Sequence, residues 1–118
     1  MKNYLLEYSG QLAKEIEITC KNVKSKKNAS NIIFQIKKSS SSVFANISEA
    51  QYPQSLPDML SKLKIARKEC IETESWLKLM FNSGMIDDQS FKDLRNLCGR
   101  IRRLLTSSCI TIEKKINL

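Results

Sequence analysis

Two acidic side chains one helical turn apart, Glu69 and Glu72, have a spacing that could support chemistry. On a helix this spacing places both carboxylates on one face, as in general acid and base pairs and in the carboxylate-bridged metal sites of helical bundles. Those metal sites use histidine as well as glutamate, and the sequence contains no histidine. We therefore expect these carboxylates to accept structural hydrogen bonds from Asn, Ser or Arg side chains of a partner, and to hold no metal.

Other catalytic patterns are absent from the sequence. There is no glycine-rich phosphate loop, no G-x-S-x-G segment and no histidine to pair with a serine or a cysteine. The four cysteines form no C-x-x-C pair; they are Cys20, Cys70, Cys98 and Cys109. Cys20, Cys70 and Cys98 fall on apolar helical faces, and we interpret these three as small core residues, with a redox role as the alternative. The sequence therefore predicts a protein that has no cofactor and is not an enzyme.

Basic residues are the strongest indication of a partner. The net charge is +8, and four of the five arginines fall within nine residues that contain no acid. The candidate nucleic-acid-binding residues are Arg95, Arg100, Arg102, Arg103, Lys24, Lys26 and Lys27. Arginine presents a fixed fork of donors that fits phosphate oxygens, but no aromatic residues are interleaved to stack on bases. We expect contacts with the backbone or shape of RNA or DNA; a solvated basic surface is the alternative.

Four long helices must position these residues. A chain of 118 residues with only 3 Gly and 2 Pro suits a single domain with few turns. Ser55 and Asp58 form a capping box that starts the third helix. Gly84 follows its end, and Asp87 or Asp88 caps the fourth helix. The apolar periodicity predicts an all-α, antiparallel up-down four-helix bundle with helices at residues 4–23, 29–50, 56–82 and 88–115.

The second and third helices each have a feature that a simple bundle does not need. The second has a polar row beside its apolar stripe, and the third has a second stripe about 120° from its main apolar face. The row is Gln35, Ser39, Ser42, Asn46 and Glu49, and the stripe is Ile65, Glu69, Glu72, Trp76 and Leu79. We expect both to form a helix–helix or subunit contact, since small side chains let backbones approach closely. A solvated shoulder is the alternative for the row.

The sequence also bears on where the protein is found. Its N-terminus, MKNYLLEYSG, has no apolar run long enough for a signal peptide, and no segment reaches the ~18 apolar residues of a membrane span. We expect a cytoplasmic protein with reduced thiols that does not enter a membrane.

Two segments of the chain, FQIKKSSSSVFANISEAQYPQS and SKLKIARKECIETESWLKLM, resemble a known family. This is the bacterial four-helix-bundle family encoded in intervening sequences of large-subunit ribosomal RNA genes. Its N-I-x-E segment corresponds to Asn46, Ile47 and Glu49, and its I-A-x-x-x-x-x-E segment to Ile65, Ala66 and Glu72. Glycine or a Gly-Ser pair in many members is replaced here by Ala50, Lys68 and Glu69, which indicates a divergent branch.

The resemblance implies more than the periodicity does. Members of this family, and the similar accessory variability determinant of diversity-generating retroelements, form barrel-like homopentamers. The retroelement proteins are basic, bind nucleic acid and associate with a reverse transcriptase. Two hypotheses follow. The chain is a non-catalytic homo-oligomer that binds nucleic acid, with a reverse transcriptase as a further partner, or it is a structural adaptor whose partner is another protein and whose charge is incidental.

Overall fold

The computed structural model describes residues 3–23 and 29–118, which form four α-helices and no β-strand. The helices are α1 (Tyr4–Lys21), α2 (Ala29–Ala50), α3 (Leu56–Asn82) and α4 (Asp88–Ile116). The predicted all-α class is therefore confirmed. Three of the predicted phosphate-binding residues lie outside the described residues: Lys24, Lys26 and Lys27.

Two helix ends differ from the predicted boundaries. Helix α1 ends at Lys21, because the backbone N–H of Asn22 donates to the carbonyl of Thr19 at 3.1 Å and that of Val23 to the carbonyl of Cys20 at 3.4 Å, which closes the last turn there. Helix α4 extends to Ile116, one residue beyond the predicted end. Such differences are expected, since apolar periodicity does not specify the last turn of a helix.

Side-chain caps start α3 and α4. Ser55 Oγ accepts a hydrogen bond from the N–H of Asp58 at 3.1 Å, and Asp58 Oδ2 accepts one from the N–H of Gln54 at 3.1 Å. Asp87 Oδ1 accepts from the N–H of Ser90 at 2.7 Å, and this bond lowers the pKa of the Asp87 carboxyl below its ordinary value. These short-range bonds satisfy N–H groups that have no partner within the first turn.

Gly84 reverses the chain between α3 and α4. Its φ of 71° lies in the left-handed region, which a residue without a Cβ adopts at little cost. The N–H of Met85 then donates to the carbonyl of Met80 at 2.9 Å, closing the end of α3. As a result α4 begins only a few residues later and returns along α3.

Consecutive helices run antiparallel. Between α2 and α3, Glu49 pairs with Lys62 near the connecting loop, and Ser39 contacts Thr73 farther from it. Residue numbers therefore decrease along α2 in the direction in which they increase along α3. Helices α1 and α3 each contact α2 and α4, whereas the described residues show no close contact between α1 and α3 or between α2 and α4. The chain therefore forms a four-helix bundle that measures 52 × 22 × 21 Å.

The core runs along the bundle axis and receives side chains from all four helices. Its largest fully buried apolar side chains are Leu12, Ile16, Ile36, Val43, Ile47, Leu77, Met80, Ile101 and Leu105. The four cysteines are also buried, and burial raises the pKa of the Cys20 and Cys109 thiols. Within the described residues, no buried side-chain nitrogen or oxygen lacks a hydrogen-bond partner. The core therefore contains few polar atoms, and each is satisfied.

A polar contact links α2 to α3 inside this core. The Thr73 hydroxyl donates to Ser39 Oγ at 2.8 Å and also lies 2.8 Å from the carbonyl oxygen of Glu69. Ser39 Oγ in turn donates to the carbonyl of Ile36 at 3.2 Å. Both Ser39 and Thr73 are almost completely buried. Ser39, which the sequence assigned to an interface, therefore contacts a neighbouring helix within one subunit, and its small side chain permits that approach.

We expect the Ser39→Ala substitution to lower the free energy of unfolding by about 1 kcal/mol, because the Thr73 hydroxyl loses a buried partner. A double-mutant cycle with Thr73→Val should show a coupling energy of about 0.5–1.5 kcal/mol between the two positions. Urea denaturation followed by circular dichroism measures all four free energies.

The matched control is Ser41→Ala on the same helix. Ser41 is exposed and its hydroxyl bonds only to the carbonyl of Lys37 at 2.6 Å, so alanine should leave stability unchanged or raise it by a few tenths of a kcal/mol. Equal effects of Ser39→Ala and Ser41→Ala, with no coupling to Thr73, would contradict the assigned role of the buried hydrogen bond.

Candidate functional site

Four arginines of α4 line a groove on the surface of the bundle. The groove has a volume of about 470 Å³ and is lined by Arg95, Asn96, Gly99, Arg100, Arg102, Arg103 and, from α3, Glu74. We call these seven residues the arginine groove. All four arginines predicted to bind phosphate are among them, brought together by the 3.6-residue period of α4. The predicted lysines of the loop before α2 lie outside the described residues.

Arg102 is held by a carboxylate from the neighbouring helix. Its Nε donates to Oε1 of Glu74 at 2.8 Å, and both side chains are partly shielded from solvent. This hydrogen bond, together with the negative charge of Glu74, raises the pKa of the Arg102 guanidinium above its ordinary value. Arg102 therefore faces α3 and contributes less free positive charge to the groove than the other three arginines.

Aromatic rings support two of the other arginines. The guanidinium of Arg95 lies 5.4 Å from the centre of the Phe91 ring, which stacks on Phe81 with centroids 4.4 Å apart. The guanidinium of Arg100 lies 5.3 Å from the centre of the Tyr8 ring, on α1. Cation–π contacts of this kind orient a guanidinium without neutralising its charge. Sequence reasoning overlooked both rings: Phe91 is four residues before Arg95 and could have been found, whereas Tyr8 is remote in the sequence.

Gly99 forms the floor of the groove. A Cβ added at this position would lie 3.2 Å from Nη1 of Arg103, so the guanidinium of Arg103 lies directly over bare backbone. Among the described residues, no carboxylate lies within ion-pair distance of Arg95, Arg100 or Arg103. Three cations without acidic partners thus surround a surface groove, an arrangement suited to phosphate oxygens.

The remaining residues of the polar row of α2 differ in the partners of their side chains. Asn46 is half-buried, and its amide donates to the carbonyl of Ser42 at 2.9 Å and to Ser42 Oγ at 3.1 Å. Glu49 is exposed and pairs with Lys62 of α3 at 3.1 Å. Asn46 and Ser42 therefore bond to each other within α2. Among the described hydrogen bonds and ion pairs, Ser39 and Glu49 are the members of the polar row that reach α3.

The second stripe of α3 lies beside this row and is only partly covered. Ile65 is 40% exposed and Leu79 is 46% exposed, while Trp76 packs against the core with part of its surface open. Ile65 also lines a shallow, mostly apolar groove of about 580 Å³ with Leu60 and Ile116. We call the polar row and this stripe together the α2–α3 face. Within the described part of the subunit, Ile65 and Leu79 on this face therefore stay partly exposed.

The paired carboxylates lie on the α2–α3 face. Burial raises the pKa of Glu69 above its ordinary value, the nearby charge of Glu72 raises it further, and the charges of Lys68 and Lys38 oppose this shift. Glu72 itself is exposed. No group of three or more Cys, Asp or Glu side chains in residues 3–23 and 29–118 is arranged to hold a metal ion. The proximity of Glu69 and Glu72 thus produces repulsion between their two carboxylates.

The thiols of Cys70 and Cys98 lie close together in the core. Cys70 Sγ donates to the carbonyl of Cys98 at 3.3 Å, and its contact with the Cys98 thiol, followed by burial, raises the pKa of Cys98 well above its ordinary value. A thiol held in the neutral form reacts slowly, as expected for a core residue.

In the part of the chain that the structure describes, no helix has the length and apolar character needed to cross a membrane.

These features define a class of protein: a basic four-helix bundle with an arginine groove on one side and a partly apolar face on another. The sequence profile of the family described as 23S rRNA-intervening sequence protein matches residues 2–107. The chain therefore belongs to this family, and that part of the resemblance seen in the sequence is confirmed. The link to retroelement accessory proteins stays a prediction.

The chain is also similar to solved structures, one of which matches over most of its length. It is a crystal structure from Bacteroides thetaiotaomicron VPI-5482, described as a protein of unknown function from the S23 ribosomal protein family. The two chains are 32% identical with a TM-score of 0.82, and the match covers 89% of this chain and 97% of that one. No curated protein matches this chain.

We expect Glu69→Gln to stabilise the protein at about pH 7. Because the pKa of Glu69 is raised on folding, the folded protein binds this proton more tightly than the unfolded chain does. The free energy of unfolding therefore falls as the pH rises from the ordinary carboxyl pKa through the raised value, and glutamine removes that loss. Below about pH 4 the carboxyl is protonated in both states and the gain should disappear.

Thermal melts across this pH range measure the effect. Glu72→Gln is the matched variant: it removes the neighbouring charge but leaves Glu69 ionisable, so its gain should be smaller. A difference in melting temperature between the wild type and Glu69→Gln that is the same at about pH 4 and about pH 7 would contradict the raised pKa of Glu69.

Proposed function

We propose that this protein is a non-catalytic, nucleic-acid-binding protein that contacts the phosphate backbone through the arginine groove. The observation that supports this most directly is the grouping of Arg95, Arg100 and Arg103 around Gly99 with no carboxylate partner among the described residues. A net charge of +8 adds a long-range attraction for a polyanion.

Neighbouring side chains orient the arginines before a phosphate binds. The rings of Phe91 and Tyr8 limit the freedom of two guanidiniums, so less conformational entropy is lost when a phosphate binds. The carboxylate of Glu74 accepts a hydrogen bond from Nε of Arg102 and leaves the other N–H donors of that guanidinium available. None of these contacts selects a base, so the groove should distinguish nucleic acids by the shape and accessibility of the backbone.

Substituting alanine for Arg95, Arg100 or Arg103 should weaken binding to a labelled RNA hairpin roughly tenfold each, because a charge-assisted hydrogen bond to phosphate is lost. The slope of log affinity against log salt should fall by about 1 for each arginine removed. Fluorescence anisotropy between about 50 and 200 mM salt measures both quantities.

Lys38→Ala is the matched control. It removes one positive charge from an exposed position on α2, which does not contact α4, so affinity should change little. Absence of binding at about 50 mM salt, or equal effects of Lys38→Ala and the arginine substitutions, would show that the groove does not bind nucleic acid.

We further propose that the α2–α3 face mediates self-association, giving the homopentamer that the family resemblance implies. The support is the exposure of Ile65 and Leu79 beside the half-buried Trp76, next to a row of polar side chains that can form hydrogen bonds between subunits. Partly exposed apolar residues on one side of a helix, next to polar side chains, are typical of an interface. Another protein, such as a reverse transcriptase, is the alternative occupant of this face.

Ile65→Asp should dissociate the assembly, because a carboxylate would be buried without a partner in the interface. Light scattering gives the mass, and the fluorescence of Trp76, the only tryptophan, should shift to longer wavelength as its surface becomes exposed. Ile71→Asp is the matched control, since Ile71 is 49% exposed on α3 but lies about 120° from Ile65 around the helix.

The two variants also separate the alternatives. A wild-type protein that is monomeric, or an assembly that survives Ile65→Asp, would leave this face available to a different protein and favour the adaptor hypothesis. Dissociation by both variants equally would indicate general destabilisation rather than loss of a defined interface.

A further inference from the structure

A column of three flat groups extends the arginine groove onto α1. The guanidinium of Arg100 lies over the ring of Tyr8, and the Tyr8 ring stacks on Tyr4 with centroids 5.7 Å apart and planes inclined by 29°. Arg100 belongs to both structures, because it also lines the groove. The groove of cations and the pair of aromatic rings therefore form one continuous surface across α4 and α1.

The two tyrosines differ in how deeply they are buried. Tyr8 is half-buried and packs against the core, whereas Tyr4 is 49% exposed at the start of α1. Asn3 caps that start: its side chain accepts a hydrogen bond from the N–H of Leu6 at 3.1 Å. The column thus has a half-buried inner ring and a partly exposed outer ring at the start of a capped helix.

Flat groups beside unpaired arginines favour one form of nucleic acid. In a duplex the bases are stacked on each other and present only their edges, so tyrosine rings on a protein surface cannot stack with them. In a single strand the bases can turn outward and stack on aromatic rings or on guanidinium planes while the phosphates follow a basic groove. An acidic peptide would satisfy the arginines but has no regular set of flat groups for the tyrosines.

We propose that the arginine groove and the Tyr4–Tyr8 pair together bind single-stranded nucleic acid, with phosphates in the groove and a base stacked on the tyrosine column. This inference rests on the proposed backbone binding and adds to it the class of ligand. Arg100 joins the two parts, because it contacts phosphate on one side and orients Tyr8 on the other.

The test compares an unstructured labelled oligouridine of about 12 nucleotides with a blunt-ended RNA duplex of equal phosphate number, which has no unpaired bases. The wild type should bind the single strand more tightly at equal salt. Tyr4→Leu should weaken binding to oligouridine about 5- to 150-fold and leave duplex affinity unchanged, since leucine keeps apolar bulk but has no aromatic face. Tyr4→Phe should retain the wild-type affinity, and Arg100→Ala should weaken binding to both RNAs.

Phe34→Leu is the matched control, because Phe34 is an exposed aromatic residue on α2, which does not contact α4. It should leave both affinities unchanged. Equal binding of the two RNAs, equal losses for both RNAs with Tyr4→Leu, or binding of polyglutamate as tight as that of oligouridine would overturn the single-strand proposal alone. Absence of binding to either RNA would overturn backbone binding as well.

Discussion

Close packing of α2 on α3 is the constraint on which both surfaces of this bundle depend. The hydrogen bond between Ser39 and Thr73 joins two small side chains in the core, and residues of this size let the helices approach. That approach aligns the polar row of α2 with the second stripe of α3. With Thr73 directed at α2, the next residue, Glu74, is directed at α4 and reaches Arg102.

The arginine groove shows how a bundle can hold several like charges close together. One arginine is neutralised by a carboxylate from α3, two are placed over aromatic rings, and the fourth lies over the bare backbone of a glycine. Each guanidinium therefore has a different support, and only one of the supports reduces the charge. The result is a surface that stays basic while its side chains are oriented.

Several local features were predictable because they depend on residues close in the sequence. The Ser55 cap, the Asp87 cap and the left-handed Gly84 follow from side-chain chemistry within one turn of the helix. The buried side of α4 followed from apolar periodicity. By contrast, the polar row of α2 was interpreted as one surface, and the structure divides it: Ser39 is buried against α3, whereas Ser42 and Asn46 bond to each other.

By itself, the sequence determined the all-α class, the order of four helices, the absence of histidine and the concentration of arginines on α4. These follow from composition and from interactions between residues up to four positions apart. Only the tertiary structure decided which arginine meets Glu74, 28 residues away, and placed Tyr8 of α1 under Arg100 of α4. Such contacts depend on the rotation of each helix about its axis, which is set by the packing of the whole core and by no local pattern.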